Sequence, residues 1–513
     1  MFNATNILIL ITIIAYLAMV VYIGVKFSKQ NSDTDNFYLG GRKLGPFVTA
    51  MSAEASDMSS WLLMGLPGVA LAAGLAEASW TAIGLAIGTY LNWLIVAKRI
   101  RRYSIKLNAI TVPEFFTKRY KDQKKILQTI AAVVIVVFFI PYTGSGFSAC
   151  GKLFTTLFPG VNYHTAMIVS AIVIAVYTTL GGFLAASTSD FIQSIVMTIA
   201  IVVVFGFGVS VAGGWNSVFD NAAQLPGYLN VFQGYDAANN AAGSYGALPV
   251  ASTLAWGLGY FGMPHILLRF MAARKEEELT FSRRIASVWV VISMAVATVI
   301  GVVGLAMSNV DSAKSFFEGK ASETVLINIA LYLASKGWVC ALICGVILAG
   351  VLAATMSTAD SQLLAAASSV TEDILTSKFG IKFDVKKQMI VARATVLFIS
   401  VLGIIIAWNP DSSVFRIVSF AWAGFGAAFG PIVLLALFWK RSNLAGAISG
   451  MVAGGIMVFV WKFVIAPVGG VLSIYELLPA FIIALIVNVV VSLCTKAPSE
   501  DIVKEFEEVS ANK

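Results

Sequence analysis

Two stretches place carboxylates and hydroxyls in the middle of apolar sequence. Ser52–Gly68 reads SAEASDMSSWLLMGLPG and carries Glu54, Asp57, Ser59 and Ser60 in a segment long enough to cross a bilayer. Ala353–Ser361 reads AATMSTADS and sets Thr355, Ser357, Thr358 and Asp360 in the same surroundings. Ionisable and polar groups are expensive in hydrocarbon, so such clusters point to a site for an ion or a polar solute. Their chemistry is all oxygen, which suits a hard cation such as sodium. The hydroxyls of Ser357 and Thr358, joined by backbone carbonyls from the first stretch, supply a ligand set of that kind. A lone serine or threonine in a helix usually bonds back to its own backbone. Five polar residues in the nine of Ala353–Ser361 are more than that habit explains.

Backbone carbonyls are available only where a helix is interrupted, and two places qualify. In the first, the serine-rich run leads into Gly65, Pro67 and Gly68. The second, WGLGYFGMPHILLRF (256–270), contains Gly257, Gly259, Gly262 and Pro264. Proline removes a backbone donor and glycine weakens a helix, and non-helical backbone at membrane depth persists where it lines a site. An unwound turn frees carbonyls for a cation and aims half-helix N-termini at an anion, and interrupted segments in corresponding halves of a chain point to a transporter's binding site.

The chain that carries these segments is built for lipid. Its 513 residues are 58% hydrophobic and 12% charged, with a mean hydropathy of +0.85; soluble domains are about 25% charged. Apolar windows predict thirteen spans, near 6–27, 46–73, 76–97, 126–157, 164–182, 190–213, 250–271, 285–308, 328–365, 389–408, 413–438, 444–465 and 473–494. The interrupted segments are then the second and seventh spans. Spans two to six and seven to eleven form two five-helix repeats of inverted topology, because five is odd. The expected organisation is a first helix and loop (1–45), a first repeat (46–213), a loop without Lys or Arg (214–249), a second repeat (250–438), two peripheral helices (439–495) and an acidic tail (496–513). The tail is expected to be solvated and to serve solubility alone. Of the 35 Lys and Arg, 29 fall in loops on one side of this arrangement, Arg269 among them. The positive-inside rule makes that side cytoplasmic, with the N-terminus outside and the C-terminus inside.

Several function classes are excluded. A net charge of +8 spread over short loops sets topology and does not suggest nucleic acid. The four cysteines and two histidines have no metal-type spacing, so the cysteines read as packing residues. Asn6–Phe27 lacks a small-residue cleavage site and reads as a true span. The nearest hydrolase-like string, Gly208-Val-Ser-Val-Ala212, misses the last glycine of a nucleophile elbow and lies in an apolar span, so no enzyme is expected. No repeated filter sequence suggests a channel. Gly446, Gly450 and Gly454 make a small-residue stripe that fits a neighbouring helix or a second protomer, intramolecular packing being the expected use.

At these residues the chain resembles the sodium:solute symporter family, in its sodium/proline branch. The pieces that carry the resemblance, in order, are FYLGGRKLGP (37–46), SDMSSWLLMGLPG (56–68), GGFLAAS (181–187), WGLGYFGMPHILLRFMAA (256–273), and MST with SQLLAAASSVTED (356–373). The resemblance implies an all-α polytopic fold of about thirteen transmembrane helices, with LeuT-like inverted five-helix repeats and two discontinuous helices. It implies a multi-pass protein of the bacterial cytoplasmic membrane that needs no cofactor and carries L-proline inward with sodium; the oligomeric state stays open, a monomer being expected to function. A sodium- or proton-coupled carrier of another small amino acid or organic solute is the alternative.

Carried over residue by residue, the resemblance gives as sodium ligands the carbonyls of Ala55, Met58 and Ala354 and the hydroxyls of Ser357 and Thr358. Asp57, Asp190 and Arg42 match residues tied to coupling or the ion path. Proline is placed near Ser59, Trp61, Gly65, Tyr142, Trp256, Tyr260 and Pro264. Aromatic faces can pack a pyrrolidine ring and lie against its cationic amine, while backbone amides near Ser59–Gly65 receive the carboxylate. Glu54 departs from the pattern by adding a second carboxylate within a turn of Asp57. Asp360 adds another acid beside the expected sodium site, and Met263 replaces an expected polar residue.

Overall fold

Long apolar runs make the helices of this chain, and glycine, proline and serine decide where they bend or stop. The computed structural model describes residues 3–28, 38–381 and 383–511. Lys29, Phe37, Lys382 and Lys513, which entered the sequence reading, lie outside them. Among the described residues ten helices are long and apolar enough to cross a membrane, from Ala4–Lys26 to Leu477–Cys494. Thirteen spans were expected. The other three expected segments are not single long helices: 46–73 and 250–271 are broken, and Tyr163–Thr179 is shorter.

The first break comes earlier than Gly65 and Pro67. Helix Pro46–Asp57 ends where Met58 turns to φ −79°, ψ 60°. Ser59 holds the reversal, its hydroxyl accepting the N–H of Trp61 at 3.1 Å. The chain re-enters helix through a wide turn at Trp61–Gly65 and continues as Leu66–Ala73. Pro67 lacks an N–H for the preceding turn, and a widened turn absorbs that loss without a kink. The hydroxyl-rich residues, not the Gly-Pro pair, therefore make the break.

The second interruption is a tight 3-10 segment, Ala255–Gly262, between helices Ala247–Leu254 and Pro264–Ala272. Its glycines serve close approach. A Cβ on Gly257 would lie 2.2 Å from the carbonyl oxygen of Gly84, and one on Gly259 would lie 1.9 Å from Nε1 of Trp422. Gly182 (φ 71°) divides the fifth and sixth expected spans inside Tyr163–Val211. The overlong window 328–365 resolves into two helices, Val325–Ala334 and Trp338–Ser368.

The distribution of polarity is that of a membrane protein. Ile11, Val169, Ile390, Phe398, Phe463 and Ile486 are each more than half exposed. The interior holds Glu54, Asp57, Asp190, Arg269 and Asp360. Apolar surface facing outward and ionisable groups facing inward suit a lipid solvent. The 214–249 segment forms helix Trp215–Ala223 and a hairpin pairing Gln233–Asp236 with Ala241–Ser244.

The acidic tail is not simply solvated. Helix Glu500–Ala511 buries Ile502, Phe506 and Val509, a stripe at helical spacing. Its acids pair with basic loops: Glu508 with Lys106, Glu505 with Lys121 at 3.1 Å and Glu507 with Lys440 at 3.1 Å. The guanidinium of Arg119, read from sequence as a loop charge, is buried 5.2 Å from the Phe506 ring centroid. The glycine stripe of helix Leu444–Val460 seats helix Leu477–Cys494, with a Cβ on Gly450 falling 2.7 Å from that of Asn488.

Candidate functional site

The break at Met58–Ser60 faces helix Trp338–Ser368 across a buried polar seam. Ser357 Oγ donates to the carbonyl of Ala55 at 2.8 Å and lies 3.1 Å from the carbonyl of Ala354. Thr358 Oγ1 also donates to Ala354, at 3.1 Å. Four of the five residues expected to bind sodium are thus joined directly, and Met58 sits at the break itself. Thr355, in the same stretch, bonds Val351 of its own helix at 3.0 Å and takes no part. Asp360 turns away: its Oδ1 accepts from Thr178 at 2.5 Å, on helix Tyr163–Thr179. Among the described residues no three His, Cys, Asp or Glu side chains cluster as for a transition metal. The available chemistry is hydroxyl and carbonyl oxygen, which fits sodium as a transported cation.

Asp57 ties the two interruptions together. Tyr260, in the 3-10 segment, donates to Asp57 Oδ2 at 2.6 Å, and Tyr142 donates to the Asp57 carbonyl at 3.2 Å. Nearby, Trp61 and Trp256 face each other at 5.5 Å between centroids, and Phe415 lies 5.8 Å from the first and 5.1 Å from the second. Gly65 leaves the space these rings need, since a Cβ there would meet Trp61 at 3.3 Å and Phe415 at 3.4 Å. Tyr260 packs edge-on against Trp422 at 5.0 Å. Two buried donors at the break, Ser60 Oγ and Trp61 Nε1, have no partner among the described residues. Pro264 is buried and starts the helix after the 3-10 segment.

A surface-open cavity of about 960 Å³ reaches this aromatic group, with Trp256 and Phe415 in its lining. Glu77, Lys152, Glu323 and Arg416 line its wider part. Glu323 bonds Lys152 at 2.6 Å and accepts the N–H of Phe415 at 3.2 Å, anchoring the helix that carries this ring.

One layer away lies a second acidic centre. Asp190 Oδ2 accepts from Ser52 at 2.7 Å and pairs with Arg269 at 3.0 Å. Arg269 is only 1% exposed and also donates to Ser361 at 2.5 Å. Ser361 in turn donates to the Ser357 carbonyl at 2.9 Å, so the seam and the ion pair are continuous. Sequence placed Arg269 among the loop charges; its side chain instead points back into the bundle, where Asp190 is the counter-charge. Arg42 stands apart from the seam. It donates to the carbonyls of Met271 at 2.8 Å and Ala109 at 2.6 Å, pinning the end of the helix that carries Arg269.

Sequence reasoning missed Phe415 and Trp422, which lie in an unbroken apolar helix with nothing local to single them out. It also missed Trp93, whose Nε1 donates to Glu54 Oε1 at 2.7 Å.

With this geometry in view, the comparisons agree. Residues 37–454 match the sodium:solute symporter family. A protein of Staphylococcus aureus named sodium/proline symporter is 39% identical over 495 residues, covering 95% of this chain and 93% of its own length. Its counterpart in strain USA300 / TCH1516 is 40% identical over 496 residues, with the same coverage. Among solved structures, a substrate-bound, outward-open sodium-coupled sialic acid symporter superposes with a TM-score of 0.78 at 17% identity, covering 96% of this chain and 99% of that one. A nucleobase-cation-symport-1 family transporter, in a closed conformation with bromovinylhydantoin bound, gives 0.55 at 14% identity, covering 92% and 98%. At such identities these structures speak to the fold.

Proposed function

The chain belongs to the sodium:solute symporter family, and from that premise we propose how its site works. The protein is a multi-pass secondary active transporter, a sodium-coupled symporter of L-proline, and not an enzyme. The observation that carries the site assignment is the Ser357 hydroxyl held 2.8 Å from the Ala55 carbonyl across a helix break.

Sodium binds between the carbonyls of Ala55, Met58 and Ala354 and the hydroxyls of Ser357 and Thr358. Both hydroxyls now donate to carbonyls of this set. On binding they rotate, so that oxygen lone pairs replace O–H groups toward the ion. One ion then joins two helices where a hydrogen bond did before. Asp57 is the nearest negative charge on the broken helix and draws the cation in. Because Tyr260 holds Asp57, the ion also orders the 3-10 segment.

Proline enters through the cavity and stacks its ring among Trp61, Trp256 and Tyr260, against the wall that Tyr142 and Gly65 complete; Pro264 fixes the end of the 3-10 segment. Ser60 Oγ and Trp61 Nε1 are spare buried donors for the carboxylate, beside Ser59 at the break. The amine lies against the aromatic faces. Sodium leaves along Ser357, Ser361 and Asp190, where Arg269 must yield for it to pass. Arg42 acts by position, holding the helix that carries Arg269. The cytoplasmic side is the one rich in Lys and Arg, which puts the N-terminus outside the bacterial plasma membrane and the C-terminus inside. The working unit is one chain.

Proteoliposomes test this with labelled L-proline under an inward sodium gradient, a proton gradient alone, or neither. Uptake that requires sodium and collapses in Asp57→Ala and Ser357→Ala is the expected result. Proton-driven uptake would refute the sodium site, and no uptake under any gradient would refute proline as the substrate.

A further inference from the structure

Glu54 plays no part in the seam described above. It sits three residues before Asp57 on helix Pro46–Asp57, so both carboxylates share a helix face. Each is bound on one oxygen by a neutral donor: Trp93 Nε1 at 2.7 Å from Glu54 Oε1, and the Tyr260 hydroxyl at 2.6 Å from Asp57 Oδ2. The other oxygens, Glu54 Oε2 and Asp57 Oδ1, are buried without a hydrogen-bond partner among the described residues. Neither carboxylate forms an ion pair among the described residues, and no basic side chain acts on either.

Two neutral oxygens complete the picture. Thr89, in helix Leu75–Leu91, and Asn92, in the wide turn Asn92–Val96 that continues it, are fully buried. Thr89 faces the Tyr260 hydroxyl, while Asn92 Nδ2 donates to the Tyr260 carbonyl at 3.0 Å. Thr89 Oγ1 and Asn92 Oδ1 receive no hydrogen bond from the described residues. Two helical stretches, linked through Trp93 and Tyr260, thus carry four buried oxygens with no hydrogen-bond donor among the described residues, two of them on carboxylates. Uncompensated charge in such a place is very costly unless a counter-ion supplies the balance.

We propose that Glu54, Asp57, Thr89 and Asn92 form a second sodium site, on the side of the broken helix facing Trp93 and Tyr260. All-oxygen ligands, two of them anionic, suit a small hard cation. The charge balance agrees. The Ala55–Ser357 site has only neutral ligands, so Glu54 and Asp57 together offer two negative charges to two sodium ions. Trp93 and Tyr260 each hold one carboxylate oxygen and leave the other to the ion. The site rests on the sodium/proline reading above, and its consequence is two sodium ions carried per proline.

Counting bound radioactive sodium on the purified full-length protein decides the matter and needs no proline. Two ions per chain are expected for the wild type, one for Glu54→Gln and one for Ser357→Ala, each variant first shown to be monodisperse and cooperatively melting. Thr89→Val, on a different helix, should weaken one of the two ions about 10-fold, the loss of one neutral ligand; it decides the outcome if Glu54→Gln does not fold. One ion on the wild type, or two undiminished ions on Glu54→Gln or Thr89→Val, would overturn the site. Absence of proline flux in proteoliposomes would instead overturn the substrate reading, while the ion count would still decide the site.

Discussion

Two buried acidic centres flank the same broken helix, and they are balanced differently. Asp190 carries its counter-ion within the fold: Arg269 is 3.0 Å away, and Ser52 adds a hydroxyl at 2.7 Å. Asp57 and Glu54 receive only neutral donors, from Tyr260 and Trp93. The first centre is self-sufficient. The second leaves negative charge beside a break in the helix, where a mobile cation completes it. Cation-driven transport needs a charge that the protein does not neutralise itself, placed where neutralising it changes how two elements meet.

The comparison is broken most forcefully at Asp190. Arg269→Met strands a buried carboxylate and should destabilise the fold by about 3–5 kcal/mol, read as lost melting temperature in detergent. Arg269→Met combined with Asp190→Leu should recover most of that loss; a double variant as unstable as the single one would mean the pair is not self-contained. At Asp57 the pattern inverts. Asp57→Asn removes an unbalanced buried charge, so melting without sodium should not fall and should rise if anything, while sodium-driven uptake falls about 100-fold, the loss of a charged partner worth ~3 kcal/mol.

The seam sharpens the contrast further. Ser357→Ala should abolish sodium-driven uptake, whereas Thr355→Val, whose hydroxyl bonds its own helix, should leave the half-saturating sodium concentration within about 2-fold. Equal effects would show that the stretch acts by general polarity. The smallest effects belong to the tail. Glu507→Gln and Glu508→Gln remove partly exposed pairs worth roughly 0.2–1 kcal/mol each, differences that should fade in high salt.

Residue cost explains how much of this was legible in sequence. A carboxylate or a cluster of hydroxyls in a membrane span is expensive enough to announce itself, so Asp57, Ser357 and Thr358 stood out, whereas Asp190 came only through the family resemblance. Proline and glycine marked the two interrupted segments, although the first break falls at Met58–Ser60, where a serine hydroxyl takes over a backbone bond. Partnership was not legible. Arg269 looked like a topology charge because its burial depends on Asp190, 79 positions away in sequence. Phe415 and Trp422 looked like any apolar helix residues, and the tail's buried stripe depended on Arg119 and its neighbours. Glycine was read as looseness, whereas at Gly257 and Gly259 it is the residue that lets backbone and indole approach.

The central claim is that sodium is the missing counter-ion of the Asp57 centre and not of Asp190. Its most direct test is the melting temperature of the purified protein in sodium chloride against equal choline chloride. A ligand present at 100 times its dissociation constant stabilises the folded state by about 2.7 kcal/mol. A sodium-specific rise is therefore predicted for the wild type and for the Arg269→Met/Asp190→Leu double variant, and most of it should vanish in Asp57→Asn. A full rise in Asp57→Asn, or its loss in the Asp190 double variant, would contradict the account.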